Sequence, residues 1–403
     1  MTATVRHLPM GKIAPLLRRP VHVSPSSSYR EIGIRSFGKG VFHKVPVSGL
    51  EIGSKRVFSI CPGDLLFNIV FAWEGAVAVA SEAEQGMIGS HRFLTCRADP
   101  EFADPRYLYW WFVREKGQEQ LLRASPGGAG RNRTLGIDKL HTIEVPLPSV
   151  EEQREFLAWI DELSARFDES RALASRVAAD SEMLLVAMAH RMDLNEGSKE
   201  KAGWRRRQLS EVLRLKCDIR KVDATAAYPN LGIYSFGRGL FHKPPIEGLS
   251  TSASALQRVA AGQFIYSRLF AFEGAYGMVT DEFDGVYVSN EYPTFDCDTT
   301  QVLPEFLVAY FKAKHIWQTV AAGSKGLGNR RQRVQPDKIL AHEIWLPPLE
   351  YQQCFVQLSR GVAESFRLRT AADEAAGKAF VGALDKGFAA LELARGTTAK
   401  SAA

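Results

Sequence analysis

The chain has 403 residues, which is enough for two domains of ordinary size. Its apolar share of 45% and charged share of 24% are those of a globular protein and exclude a disordered or fibrous chain. The net charge of +6 indicates a moderate preference for polyanions such as nucleic acid. The five scattered cysteines exclude a disulfide framework, and no apolar run has the length of a signal peptide or membrane helix. We therefore expect a cytoplasmic protein that does not engage a membrane.

The chain contains a long internal repeat. Residues 29–153 align with residues 228–352 at a constant offset of 199, without a gap, and 36 of the 125 aligned positions are identical. Solenoid units are only about 20–50 residues long, so this repeat indicates a duplicated domain. We assign residues 1–150 and 204–348 to two tandem, homologous domains of mixed α/β structure in a chain of the α+β class.

Each copy predicts a β-rich opening with several glycines, two strands, a helix and a final strand. In the first copy, β-branched and aromatic residues in the stretch 62–81 predict two strands that meet near Glu74-Gly75. A helix is predicted around residues 105–123, because proline is favourable at a first helical position. The final strand ends at Pro148, and the second copy predicts the same elements 199 residues later.

A long helix follows each domain. Residues 151–192 lack glycine and proline, and residues 349–394 form an equivalent stretch. Each carries an apolar stripe at helical spacing, which it cannot bury alone, so we predict an antiparallel coiled coil with pseudo-two-fold symmetry. The stripes are Phe156, Ile160, Leu163, Phe167, Ala174, Val177, Leu184 and Met188, and Phe355, Leu358, Val362, Phe366, Ala376, Phe380, Leu384 and Phe388. Residues 193–203 are predicted to be a linker and residues 395–403 a disordered tail.

Basic residues concentrate at the glycine-rich opening and in a late loop of each copy, where arginine and lysine can reach phosphates. Between these blocks the copies differ in side chains that could read base edges, for example Asn68 against Ser267 and His91 against Asn290. The predicted DNA-binding residues are Arg35, Lys39, His43, Lys44, Asn68, His91, Arg131, Arg133 and Lys139 in the first copy, and Tyr234, Arg238, His242, Lys243, Arg268, Asn290, Arg330, Arg331, Arg333 and Lys338 in the second.

Other signals favour structural roles. The repeated aromatic residues Phe37, Phe42, Phe236 and Phe241 could stack on bases, but aromatic residues in a short hairpin are more often core. Glu74-Gly75 is more simply a turn, and His43 has no partners at metal-ligand spacing. No nucleotide-binding loop, dinucleotide fingerprint or catalytic triad is evident, so we expect a binding protein without catalytic residues, cofactor or metal.

The segments IEVPLPSVEEQREF (residues 143–156) and HEIWLPPLEYQQCF (residues 342–355) carry a resemblance to a known family. They resemble the strand-to-helix junctions of the specificity subunit of type I restriction–modification systems. The openings GIRSFGKGVFHK and GIYSFGRGLFHK resemble one class of the target recognition domains of that family. The second junction departs from the first, with Tyr351 and Gln353 where the first has Glu152 and Arg154.

The resemblance implies that each domain reads one half of a split site in double-stranded DNA, while the paired helices fix the spacer. It also implies two methyltransferase subunits docked on the helices and a restriction/translocase subunit, with S-adenosylmethionine, ATP and Mg expected on these partners. Two alternatives remain open at this stage. They are a stand-alone bipartite DNA-binding regulator and a DNA-reading scaffold of another phage-defence complex.

Overall fold

The structure is a computed structural model that describes residues 5–128, 133–322 and 333–393 of the chain. The chain divides into two compact units. The first unit comprises Met1–Arg171 and Ala372–Ala403, and the second comprises Ala172–Ala371. Each unit therefore contains one copy of the repeat together with a segment of each long helix.

The first unit begins with a globule of strands and short helices. Its strands are β1 (Arg6–Pro9), β2 (Ser28–Tyr29), β3 (Ile32–Ile34), β4 (Val41–His43), β5 (Val47–Ser48), β6 (Val57–Ser59), β7 (Asp64–Asn68), β8 (Val77–Val79), β9 (Ile88–Ser90), β10 (Phe93–Arg97) and β11 (Glu144–Leu147). Its helices are α1 (Met10–Ile13), α2 (Gly49–Ile52), α3 (Pro105–Val113), α4 (Glu115–Ala124), α5 (Ile137–His141) and the first part of α6 (Val150–His190), with 3-10 turns at Ala72–Glu74 and Glu82–Glu84.

An antiparallel sheet of three strands, in the order β10-β7-β8, forms the centre of this globule. Strand β7 is buried along most of its length because Leu65 and Phe67 face helix α3, where Phe67 meets the edge of Phe112 at 5.1 Å between ring centres. The 3-10 turn separates β7 from β8, which confirms the predicted break near Glu74-Gly75. The sheet thus presents the end of β7, with Asn68, at the surface.

The second unit repeats most of these elements. Its strands are β12 (Arg205–Gln208), β13 (Leu213–Lys216), β14 (Ile219–Lys221), β15 (Ala227–Ile233), β16 (Leu240–Glu247), β17 (Ala255–Arg258), β18 (Phe264–Tyr266), β19 (Tyr276–Met278), β20 (Tyr287–Val288), β21 (Thr294–Cys297) and β22 (Glu343–Leu346). Its helices are the end of α6, α7 (Glu196–Lys201), α8 (Leu209–Val212), α9 (Pro304–Tyr310), α10 (Lys314–Ala321), α11 (Pro336–Leu340) and the first part of α12 (Leu349–Leu393), with 3-10 turns at Gly248–Ser250, Ala271–Glu273 and Asp281–Phe283.

The second unit gathers its strands into larger sheets than the first. One sheet has the order β13-β21-β18-β19, and another has the order β14-β17-β20-β15-β16. The hairpin β15–β16 is continuous over most of its length, with a bulge between Tyr228 and Asn230, whereas the first unit divides the same region into two short pairs. The predicted linker, residues 193–203, contains the short helix α7.

The two long helices are present at nearly the predicted bounds, as α6 with 41 residues and α12 with 45. In the first unit the start of α6 lies beside the end of α12, with 4.7 Å between the ring centres of Phe156 and Phe388. In the second unit the start of α12 lies beside the end of α6, where the hydroxyl of Tyr351 donates to the carbonyl of Met188 at 2.9 Å. No helix in the described part of the chain has the length and apolarity to cross a bilayer.

One sequence-based prediction about helices is wrong, and another holds only in part. The predicted helix over 105–123 is two helices, since Arg114 has an extended backbone and the chain turns so sharply that a Cβ on Gly117 would lie 2.0 Å from the carbonyl oxygen of Trp111. In the second copy α9 and α10 are separated in the same way. Of the predicted apolar stripes, Val177, Leu184 and Leu358 are exposed, and residues at other positions of α6 form its buried end.

Candidate nucleic-acid interface

The glycine-rich opening of the first unit is the hairpin β3–β4, which presents cations above aromatic rings. Arg35 and Lys39 are exposed in its loop, and the Arg35 guanidinium carbon lies 5.0 Å from the centre of the Phe42 ring. Lys39 Nζ lies 5.9 Å from the ring centre of Phe37. A guanidinium held over a ring keeps its outer N–H groups available to a phosphate or a base edge.

The equivalent hairpin of the second unit has a different polar surface on the same scaffold. Tyr234 replaces Arg35, and its ring stacks on Phe241 with 4.2 Å between ring centres. The Arg238 guanidinium carbon then lies 5.1 Å from the Tyr234 ring centre. The opening therefore presents a cation and an aromatic face in both units, but the residue before the loop differs in chemistry.

A cleft of about 490 Å³ in the first unit brings together three of the predicted residues, Lys44, Asn68 and His91. Two further cations, Lys55 and Arg92, line the same cleft. Asn68 is fixed in place because its Oδ1 accepts a hydrogen bond from the backbone N–H of Val70 at 3.1 Å, which directs the amide nitrogen elsewhere. Amide, imidazole and guanidinium groups in one concave basic surface match the groups that recognise base edges.

The corresponding residues of the second unit are largely paired with one another. Lys243 Nζ donates to the Tyr292 hydroxyl at 3.1 Å, and Arg268 donates to the Gln335 side chain at 2.8 Å. Where the first unit has Arg92, the second has Glu291, which forms an ion pair with Arg333. The second surface is therefore less positive at this point than the first.

Two predicted histidines make contacts with carboxylates inside their own units. His43 Nε2 is hydrogen-bonded to Glu84, and His242 Nε2 lies 3.0 Å from Glu282. Burial alone would raise the pKa of the Glu84 carboxyl, but hydrogen bonds from His43 and Ser81 outweigh it and hold that pKa below its ordinary value. Glu84 is therefore ionised and fixes the orientation of the His43 ring.

The late loop adjoins the end of strand β7 in the first unit. The backbone N–H of Leu135 donates to the carbonyl of Ile69 at 2.8 Å, and the Arg133 guanidinium carbon lies 5.9 Å from the Trp73 ring centre. In the second unit the N–H of Val334 bonds to the carbonyl of Arg268 at 3.0 Å. In the first unit the described end of the late loop therefore lies beside the cleft, and in the second unit it lies beside the equivalent segment after β18.

Three of the remaining predicted residues lie on other elements, and three lie outside the residues that the structure describes. Lys139 is on α5, in a separate depression with Gln120 and Arg123, and Lys338 is exposed on α11. Asn290 and its neighbours belong to the turn between β20 and β21. The predictions for Arg131, Arg330 and Arg331 lie outside the described residues.

The interpretation of Phe37 and Phe236 as core residues is wrong. Phe37 is 69% exposed and Phe236 is 62% exposed. Phe42 is only 36% exposed, and Phe241 is half-buried. The signal that could have revealed this is the glycine that follows each phenylalanine, because Ser-Phe-Gly-basic-Gly is the composition of a tight turn. Sequence reasoning also omitted Lys55 from the predicted surface.

Comparison with known proteins identifies the fold. No protein-family model and no curated protein matches the chain. Among solved structures, a chain from a study of complex assembly and conformational transition of the type I R-M system is similar over 96% of this chain and 98% of its own, with a TM-score of 0.66 and 20% identity. The HsdS subunit from Thermoanaerobacter tengcongensis is similar over 96% of this chain and 97% of its own, with a TM-score of 0.51 and 20% identity.

These similarities define the class of architecture to which the chain belongs. The chain has the mixed α+β fold, with a long central helix and a long C-terminal helix, that is seen in structures of type I restriction–modification S subunits. The resemblance inferred from the junction and opening motifs is thereby confirmed as a likeness of fold over almost the whole chain.

Proposed function

We propose that this chain is the sequence-specific DNA-recognition subunit of a type I restriction–modification complex. One observation carries the proposal: a single scaffold, repeated in two units of a chain with the S-subunit fold, bears different polar side chains at equivalent surface positions. Equal scaffolds with unequal reading residues suit a site made of two different half-sequences. Each unit would read one half in double-stranded DNA.

The charge of the surfaces supports DNA as the ligand. Lys55 and Arg92 converge on one cleft with Lys44, which forms an ion pair with Glu31 there, and Arg133 lies at the neighbouring loop. Cations of this kind neutralise phosphates without reading sequence. Asn68 and His91, which lie among them, have side chains that can distinguish base edges.

We further propose that α6 and α12 pair along their length as an antiparallel coiled coil with pseudo-two-fold symmetry. They would set the unread spacer and dock two methyltransferase subunits, and a restriction/translocase subunit would join this assembly. In the second unit, several apolar side chains on these helices are exposed: Leu173, Val177, Met183, Leu184 and Leu368. Exposed apolar side chains on one pair of helices support a surface for protein partners. They argue against the alternative of a DNA-binding regulator that acts alone.

In this proposal the chain is a non-catalytic subunit that acts in the cytoplasm. S-adenosylmethionine, ATP and Mg are assigned to the partner subunits, which would carry out methylation and translocation. The contribution of this chain is to select the DNA sequence and to orient its partners on it.

Co-purification and methylation mapping test the proposal together. The full chain should retain two methyltransferase subunits per copy, and removing its gene should abolish methylation of adenines in a bipartite sequence. Exchange of residues 1–150 for those of a related chain should change only one half of that sequence. Tight DNA binding by a chain that retains no methyltransferase would favour the regulator instead, and a change in both halves would contradict the assignment of one half-site to each domain.

A further inference from the structure

The loops 36–40 and 235–239, here called the SFG loops, each hold a phenylalanine in a strained backbone conformation. Phe37 has φ of 62° and Phe236 has φ of 63°, in the left-handed region. Bulky residues avoid this region because Cβ crowds the backbone, and such strain persists only where surrounding contacts impose it. In the described part of the chain, Arg191 is the only other non-glycine residue with positive φ.

Hydrogen bonds on the backbone impose the conformation in the first unit. The N–H of Phe37 donates to the carbonyl of Glu74 at 2.8 Å, and the N–H of Gly38 donates to the carbonyl of Gly75 at 3.0 Å. The Ser36 hydroxyl donates to the Glu74 carboxylate at 3.0 Å. The SFG loop is therefore clamped to the 3-10 turn that follows β7, and this clamp gives the repeated Glu-Gly pair its structural role.

The second unit reproduces the clamp bond for bond. Phe236 donates to the carbonyl of Glu273 at 2.7 Å and Gly237 to the carbonyl of Gly274 at 2.9 Å. The Ser235 hydroxyl donates to the Glu273 carboxylate at 3.1 Å. The geometry is thus a property of the scaffold, retained where the neighbouring residues Arg35 and Tyr234 have diverged.

The clamp exposes the ring. Both phenylalanine side chains are more than half exposed, so the strained backbone contributes little burial in return. A polar residue or glycine would satisfy such a loop at lower cost, since glycine adopts positive φ freely. An exposed aromatic ring on a rigid, strained support is suited to contact with a ligand outside the chain.

The surroundings of each ring favour nucleic acid as that ligand. Lys39 Nζ lies 5.9 Å from the centre of the Phe37 ring, and the Arg238 guanidinium carbon lies 6.0 Å from that of Phe236. A cation beside an exposed ring can contact a phosphate while the ring contacts a base. Apolar side chains that insert at a base step unstack it and bend the duplex, which contributes to affinity without reading sequence.

We propose that Phe37 and Phe236 are stacking residues, each inserting at one base step of the half-site that its own unit reads. This inference rests on the proposed function, because it takes DNA as the ligand. It places a phenylalanine ring at each half-site. Discrimination between sequences is then left to the residues that differ between the two units. The retained serine, glycine and glutamate then serve to present the ring.

The test uses the full chain, with any methyltransferase subunits that it retains, on a duplex that carries the mapped site. The change Phe37→Gly removes the ring and relieves the backbone, so the melting temperature should stay close to that of the unchanged chain. Affinity should fall by about 10-fold or more, the effect of one lost base–aromatic stack. Phe37→Tyr should retain the affinity, and Leu122→Ala, which alters an exposed apolar side chain on α4, serves as the control.

Two further measurements separate stacking from charge and assign each ring to a half-site. Phe37→Gly should leave the salt dependence of binding unchanged, whereas Lys39→Ala should lower its slope by about 0.9 for one phosphate contact. With 2-aminopurine placed at successive positions, binding should raise fluorescence at one step in each half-site. Phe37→Gly should abolish the rise in one half and Phe236→Gly in the other.

Three results would overturn the inference. Unchanged affinity and fluorescence for both glycine variants, with specific binding by the unchanged chain, would reject stacking and leave the proposed function intact. Loss of methyltransferase retention with unchanged DNA binding would make the ring a protein contact. If the unchanged chain shows no site-specific binding with its partners present, the proposed function fails, and the inference fails with it.

Discussion

The side-chain amide of Gln153 accepts a hydrogen bond through Oε1 from the backbone N–H of Asp104 at 3.0 Å. Its Nε2 donates to the carbonyls of Phe102 at 2.9 Å and Pro148 at 3.0 Å. The side chain is fully buried, so one amide attaches the first turn of α6 to the loop before α3 and to the end of β11. This contact gives the strand-to-helix junction a physical basis.

The second unit contains the same arrangement around Gln352. Its Oε1 accepts from the N–H of Leu303 at 2.8 Å, and its Nε2 donates to the carbonyls of Gln301 at 2.8 Å and Pro347 at 2.9 Å. The glutamine that recurs in the two junction motifs therefore satisfies three backbone groups in each unit, one of them buried and two of them partly buried. A buried group without such a partner would destabilise the fold.

We predict that Gln153→Glu destabilises the first unit by about 2–3 kcal/mol. The new carboxylate would place an acceptor opposite the carbonyls of Phe102 and Pro148, and both would lose their donor. Urea unfolding and limited proteolysis of the full chain measure the loss. Gln352→Glu is the matched variant and should expose cleavage sites in the second unit instead. A loss below about 0.5 kcal/mol would show that the amide is not required.

A buried ion pair joins the end of α12 to the first globule. The Arg114 side chain is almost fully buried, its Nη2 lies 2.7 Å from Glu392 Oε1, and its guanidinium carbon lies 4.4 Å from the Phe388 ring centre. We predict that Glu392→Gln destabilises this unit by about 1–2 kcal/mol. The loss is smaller than the 3–5 kcal/mol of a fully buried pair, because the Glu392 side chain keeps 28% of its exposure. If the variant is as stable as the unchanged chain, apolar contacts alone attach the end of α12 to the globule.

The same pair predicts a pH dependence. Burial would raise the pKa of the Glu392 carboxyl, but the hydrogen bond and charge of Arg114 outweigh it and hold the pKa below its ordinary value. Because the folded-state pKa is depressed, the stabilisation is present above the ordinary carboxyl range and is lost as the pH falls through it. As the pH falls through the ordinary carboxyl range, the unchanged chain should lose more stability than Glu392→Gln. Parallel pH profiles would contradict this linkage.

The elements that local composition specifies were predictable from the sequence. Proline, glycine and helical spacing predicted the long helices and the strand break near Glu74-Gly75. The exposure of Val177 and Leu184 was not predictable, because a 3–4 spacing shows which residues share a face but not which face meets a partner. The exposed Phe37 depends on a positive φ that hydrogen bonds from a distant turn impose.

The sequence indicated which residue types line the candidate site, but not which of these residues pair with one another. Lys44, Asn68 and His91 do converge on one cleft. The ion pair between Arg333 and Glu291 joins residues that are 42 positions apart in the chain, so no local pattern indicates it. Whether a cation on a loop is available to a ligand depends on such distant contacts, and the tertiary structure decides it.

The buried histidine at the end of α6 predicts a second pH dependence. Burial lowers the pKa of His190 to about 4, although its Nε2 lies 3.0 Å from the carbonyl oxygen of Tyr310, and nearby His315, Lys199 and His342 add to the lowering. Between about pH 6.5 and pH 4 the unfolded chain binds a proton at this position that the folded chain does not, so stability falls as the pH falls.

Thermal unfolding of the second unit at several pH values measures this effect. His190→Asn keeps a hydrogen-bond donor and cannot titrate, so its stability should depend less steeply on pH by about one proton across that window. Burial also lowers the pKa of His342, so the variant should retain part of the dependence. A variant as sensitive to acid as the unchanged chain would show that His190 protonates without cost.

The late loops should contribute unequally to DNA binding. Arg133 lies over the Trp73 ring, whereas Arg333 forms two contacts of 3.1 Å with the carboxylate of Glu291, which neutralises it before DNA arrives. We predict that Arg133→Ala makes the plot of log affinity against log salt less steep by about 0.9, and that Arg333→Ala makes it less steep by a smaller amount. Glu291→Arg introduces the residue type that the first unit has at the equivalent position, and it should make the plot steeper.

A joint change of the second late loop gives a stronger version of this test. Replacing Arg330, Arg331 and Arg333 together by alanine should weaken binding to all sequences alike, because phosphate contacts carry no sequence information. The first two positions lie outside the described residues, so the prediction for them depends on their sequence alone. Titrations on specific and unrelated duplexes at several salt concentrations give the slope and the specificity ratio. If the slope is unchanged in the triple variant, the loop does not contact phosphates. If only the specific duplex loses affinity, these arginines contact bases.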